Sequence, residues 1–153
     1  MIKLKILLNE INIKSFNNMA KTFYSKLSNE EIIALRSWVI NLNKPVGNDY
    51  MTKTKAKKFI QSNINIKKQS QNIIKNIFGD KPFNVYRAYY DKRGSGLKSY
   101  SIREKEAKKF SKSGELDKKQ ITYKDVVAIP AMAFYKWEDA GHYDNEIEII
   151  LNI

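Results

Sequence analysis

The chain changes its hydrophobic period once, at Gly79-Asp-Lys-Pro82, and that change limits the folds open to it. Upstream, apolar residues recur every three or four positions, as one face of a helix requires. Downstream they alternate, as half-buried strands require. Gly79 suits a helix C-terminus and Pro82 blocks continuation. Helices followed by a small sheet, within 153 residues, read as one α+β domain. Residues 1–80 form its helical portion and 81–153 its strand-rich portion.

The helical portion has clear punctuation. Ser28-Asn-Glu-Glu31 is a capping box, in which Ser28 bonds the amide three residues on and Glu31 reaches back. Ile32, Leu35, Val39 and Leu42 follow at helical spacing with Trp38 beside them, and Pro45 and Gly47 are expected to end that helix. A Lys-rich helix is expected from about Thr52 to Gln61. Another runs to Phe78 with Ile66, Ile73, Ile74 and Ile77 inward.

The strand-rich portion opens with Phe83 to Tyr90, where Phe83, Val85, Arg87 and Tyr89 share a face. Asp91 to Gly96 reads as a turn. Leu97 to Ile102 is a second strand, with Leu97, Ser99 and Ser101 on one face. Ser101-Ile-Arg-Glu104 has the form of another capping box. It predicts a helix with Ala107 and Phe110 inward and Gly114 as its stop. Asp125 to Ile129 is expected as a third strand, and residues 131–145 as a loop carrying Phe134, Tyr135, Trp137 and Tyr143. From Glu146 to Ile153 the pattern alternates again, with Glu146 and Glu148 opposite Ile147, Ile149, Leu151 and Ile153.

Charge narrows the partners. The net charge is +12. Residues 1–80 hold 14 basic and 5 acidic side chains, and residues 81–153 hold 14 and 11. The first half therefore attracts polyanions more strongly, which keeps direct nucleic-acid contact through residues 1–80 open. A solvated, Lys-rich surface is the plainer explanation. Without cysteine, disulfides and thiolate metal sites are excluded. The apolar stretch near Met1 is short and interrupted by Lys, and no run approaches a membrane span of ~18 residues. A cytoplasmic protein without membrane contact is expected, acting in host cytoplasm if phage-encoded.

Three groups can carry chemistry. Arg87 sits mid-strand, where an unpaired guanidinium is costly to bury. It either pairs with an internal carboxylate or holds an anion in a cleft, and its fork suits a pyrophosphate. Ser99 can bond a sugar hydroxyl or orient a carboxylate, whereas Ser101 is accounted for as a helix cap. Glu146 and Glu148 lie on one strand face, roughly 6–7 Å apart, and paired acids suit reactions with oxocarbenium-like character. Each group alone also fits an ordinary strand. His142, the single histidine, reads as a surface loop residue, and no metal site is suggested.

Taken in order, Tyr86-Arg87-Ala88, Ser99-Tyr-Ser101-Ile102 with Ala107 and Phe110 beyond, and Glu146-Ile-Glu-Ile-Ile-Leu151 resemble the Arg-Ser-Glu class of mono-ADP-ribosyltransferases. That class includes toxin-type and phage enzymes. Leu27 to Arg36 resembles the first helix of such domains, so the likeness spans residues 27–151. The resemblance implies a split, mostly antiparallel sheet and NAD+ as substrate, without a metal. It implies that Arg87 binds the NAD phosphates and that Ser99 holds the nicotinamide ribose and Glu148. Glu148 would bond the ribose 2′-hydroxyl, and Glu146 would orient or deprotonate the acceptor, an arginine by preference. Ser101 would border the cofactor, Tyr86, Tyr89 and Tyr100 would stack on it or belong to the core, and Phe134, Tyr135 and Trp137 would grip an acceptor protein or anchor their loop to the body. Two alternatives stand beside it: a basic nucleic-acid-binding module, and an inactive relative that works by binding protein.

Overall fold

A computed structural model describes residues 18–40, 49–88, 96–130, 133 and 148–153. Helix α1 is described over 18–25. It is followed by α2 (Asn29–Ile40), α3 (Lys53–Ser62) and α4 (Ile64–Phe78). Five strands come next, β1 (Phe83–Ala88), β2 (Leu97–Ser101), β3 (Leu116–Ile121), β4 (Val126–Ala128) and β5 (Glu148–Asn152), with the short helix α5 (Glu104–Lys108) after β2. The fold is α+β, with its helices first, as the change of period at Gly79 requires. Among the described residues no helix is long and apolar enough to cross a membrane.

Local chemistry explains the helix ends. Glu31 N–H donates to Ser28 Oγ at 3.1 Å and Ser28 N–H to Glu31 Oε1 at 2.9 Å, so the capping box at α2 is formed. The same Glu31 oxygen accepts from Asn65 Nδ2 at 2.9 Å, which ties the start of α2 to α4. Thr52 caps α3, accepting from the Lys55 amide. Asn63 alone joins α3 to α4 and caps the latter through the Ile66 amide. Gly79 ends α4 at φ 64°, ψ −142°, its N–H bonded to Lys75 O. That turn brings Phe78 flat against Phe83, with centroids 4.0 Å apart.

The strands form one sheet in the order β3-β1-β2-β5-β4, every pairing antiparallel. β1 and β3 are in register along their length, as are β2 and β5. Among the described residues β1 pairs with β2 at Tyr86↔Ser101. Phe23, Leu35, Ile60, Ile66, Ile74, Val85, Ile129, Ile149 and Ile150 are fully buried in the core between helices and sheet. Gln71 Nε2 donates to the carbonyls of Lys124 and Val126, fastening α4 to the start of β4.

Several expectations are corrected. β3 was not foreseen. Its Leu-Asp-Lys-Lys-Gln-Ile carries little apolar signal because an edge strand is paired on one side only, and exposed lysine there guards a free edge. The expected third strand begins at Val126, since Tyr123–Asp125 form a 3₁₀ turn closed by Thr122 and Asp125. Ser101 is not the cap of α5. It stays in the ladder opposite Glu148, its hydroxyl accepts from Arg103 N–H at 3.0 Å, and Arg103 takes the cap position. α5 ends at Lys108, well short of Gly114. Ala107 is buried, but Phe110 lies past the helix and is 52% exposed. Leu42, Pro45, Gly47, Tyr89, the 91–95 turn, and the loop with Phe134, Tyr135, Trp137, His142 and Tyr143 lie outside the described residues, as does Glu146.

The backbone of Gly79 lies in a region that side chains with a Cβ rarely enter. Gly79→Ala is expected to lower unfolding free energy by about 1–3 kcal/mol, read as a shift of the urea midpoint at constant slope.

Candidate functional site

Two adjacent strands and one helix build the site. On β2 and β5 the register pairs Ser101 with Glu148 and Ser99 with Ile150. Ser99, Ser101, Glu148 and Ile150 therefore share one face, while Tyr100, Ile149 and Leu151 share the other. Ser99 and Glu148 are diagonal neighbours, and Ser99 Oγ donates a hydrogen bond to Glu148 Oε1. Trp38, from α2, meets them from the helical side. Its Nε1–H is shared between Glu148 Oε1 at 3.0 Å and Ser99 Oγ at 3.1 Å.

Trp38 is the residue that the sequence pattern placed only as a helix neighbour of the core. It is 6% exposed. An indole N–H buried to that degree needs an acceptor, and that need was the available signal. The partners are 61 and 110 residues away in sequence, so no local pattern names them.

The Glu148 carboxylate is half-buried and held through one oxygen. Among the described residues, nothing bonds its second oxygen, Oε2. A carboxylate pinned on one side and open on the other is set to accept a hydrogen bond from a ligand hydroxyl in a defined direction.

Arg87 joins the group differently. Its NH1 donates to the backbone carbonyl of Ser99 at 3.2 Å. Tyr86, rather than Arg87, is paired with Ser101, and Arg87 is paired with Asp117 on β3. Alternation thus sets the Arg87 side chain with Asp117 and Tyr100, on the face away from the Ser99 hydroxyl. Arg87, Ser99 and Glu148 are brought together, but through the Ser99 main chain on one side and its side chain on the other.

Tyr100 is 3% exposed and its hydroxyl donates to Asp117 Oδ2 at 2.6 Å. Its ring belongs to the interior, and it offers no surface for a cofactor. Burial raises its pKa well above the ordinary value, the Asp117 hydrogen bond and charge add to this, and Arg87 opposes. Tyr86 is half-buried, on the Ser101 side of β1. Its pKa is also raised, by burial and then by the charge of Glu104. Among the described residues no cluster of His, Asp and Glu could hold a metal ion.

Two tests follow. In a double-mutant cycle, Trp38→Phe and Ser99→Ala should couple by about 0.5–3 kcal/mol in unfolding free energy; independent effects would mean the shared N–H contributes nothing. For Tyr100, the folded state holds the phenolic proton more tightly than the unfolded chain. Its contribution is whole below the unfolded value, about pH 10, and declines as pH rises toward the higher folded value. Tyr100→Phe should therefore lower stability at pH 7 by about 1–3 kcal/mol and give a shallower decline above pH 10, followed by urea midpoints across the alkaline range. No family model, curated protein or solved structure matches this chain.

Proposed function

We propose that the protein is an NAD-dependent mono-ADP-ribosyltransferase that transfers ADP-ribose to a nucleophile on a macromolecular acceptor. One observation carries the reading: Glu148 is held through Oε1 by Ser99 and Trp38, and no described residue bonds Oε2. The Arg, Ser-x-Ser and Glu-x-Glu motifs resemble those of the Arg-Ser-Glu class, whose split-sheet core we take as the finer form of this fold.

In this reading Glu148 Oε2 accepts a hydrogen bond from the 2′-hydroxyl of the nicotinamide ribose. The C1′–N bond breaks, its electron pair passes to nicotinamide, and the pyridinium charge is discharged. Positive charge grows on the ribose C1′ and O4′. A carboxylate fixed beforehand stabilises that charge without reorganising. Ser99 and Trp38 keep it fixed. Arg87 is a positioning residue first, because it locks the Ser99 carbonyl; any contact with a ligand phosphate falls to its remaining N–H groups.

The acceptor nucleophile then bonds to C1′ and gives up a proton. Glu146 is the base proposed for it. A carboxylate there pairs with a guanidinium, so arginine is the favoured acceptor. Phe134, Tyr135 and Trp137 remain proposed acceptor contacts. Tyr86 and Ser101 border the ribose side, and Tyr100 is left out because it is core.

Isotopically labelled NAD and a cell lysate as acceptor source test the reading. Glu148→Gln preserves an acceptor for Trp38 and Ser99 while removing the charge. It is expected to reduce label transfer and nicotinamide release by about 10²–10³-fold, with an unfolding midpoint near that of the wild type. Equal transfer by both proteins, or no nicotinamide release by either, would sink the proposal.

A further inference from the structure

Lys53 and Lys57 lie one turn apart on α3, on the same side of the helix and about 5–6 Å from each other at Cβ. Lys53 Nζ stands 5.0 Å from the centroid of the Trp38 ring, whose N–H edge holds Glu148 and Ser99. Lys57 Nζ reaches Gly96, at the head of β2; a Cβ built on Gly96 would lie 3.6 Å from it. The two ammonium groups thus lie along β2, one at Gly96 just before it and the other at the Trp38 ring beside the Ser99–Glu148 pair.

Neither lysine has a carboxylate partner among the described residues. No acidic residue occurs between Asp49 and Asp80, while seven lysines do: Lys53, Lys55, Lys57, Lys58, Lys67, Lys68 and Lys75. Lys53 and Lys57 differ from the others in being half-buried against the site's own elements. Two flexible ammonium groups on one side of a helix can each bond an oxygen of a diphosphate. On β1, Arg87 already donates to the Ser99 carbonyl and is paired with Asp117.

We infer that Lys53 and Lys57 form a diphosphate-binding subsite, which receives the pyrophosphate of a dinucleotide whose ribose meets Glu148. The inference rests on the transferase reading for the identity of the ligand. Its geometry does not depend on turnover.

Calorimetry with ADP-ribose at low salt tests it, with adenosine as the phosphate-free control and a single-stranded oligonucleotide as the polyanion control. Lys53→Gln and Lys57→Gln should each weaken ADP-ribose binding about tenfold or more and leave adenosine binding unchanged. Lys53→Arg should restore most of the loss. Unchanged ADP-ribose affinity in both Gln variants overturns the subsite. So does a loss confined to the oligonucleotide, or wild-type protein that binds no ADP-ribose. Lysine-dependent ADP-ribose binding without any NAD cleavage supports the subsite and instead defeats the transferase.

Discussion

The indole N–H of Trp38 is a donor buried where a helix meets a sheet, and its acceptors decide how the two halves of the molecule fit together. Water cannot reach it freely, so an unmet N–H would cost about 1–3 kcal/mol. Ser99 Oγ and Glu148 Oε1 meet the need together. To do so, β2 and β5 must be neighbours in a register that sets Ser99 diagonal to Glu148. α2 must also enter at a fixed height, which the Ser28–Glu31 box helps to set at its start. A shift of one residue in β5 would turn Glu148 to the opposite face and leave the indole without its carboxylate.

The sheet accommodates this polar knot because β5 is an interior strand. Ile149, Ile150 and Leu151 are buried between β2 and β4. Of its two polar ends, Asn152 is exposed, and at the Glu148 end Ser101, Ser99 and Trp38 supply partners or neighbours. On the far face, Tyr100 and Asp117 bond across β1, with Arg87 between them in the strand order. Arg87 reaches through to the Ser99 carbonyl, close to the Tyr86↔Ser101 pairing of β1 with β2. The guanidinium thus ties β1 to β2, and it constrains the strand that carries Ser99.

Much of this was legible in the sequence, and the gaps have physical causes. The capping box at Ser28, the Gly79 stop and the alternation of β1, β2 and β5 are local signals, so they could be read without knowing the partners. β3 could not, because an edge strand with Lys118 and Lys119 buries little and shows little pattern. Ser101 was misread because Ser-x-x-Glu describes a helix start only where the serine is free of the sheet, and Ser101 is still paired with Glu148. Phe110 was expected inward on a helix that ends two residues earlier. The Ser99–Glu148 pair was foreseen as an arrangement of types. That Trp38 completes it depends on tertiary contact alone.

The same indole also explains why opposite charges sit on either side of it. An aromatic ring is negative on its faces and positive at its edge. Lys53 occupies the face and Glu148 the N–H edge, so each charge meets the part of the ring that attracts it. The cation and the carboxylate stay separated by the ring instead of closing into an ion pair, which would cover Oε2 and neutralise both. Replacing Trp38 with an aliphatic residue would remove the partition together with the donor. The ring is thus a spacer with two polar functions, and it keeps a cation and an open carboxylate side by side within a helix–sheet interface.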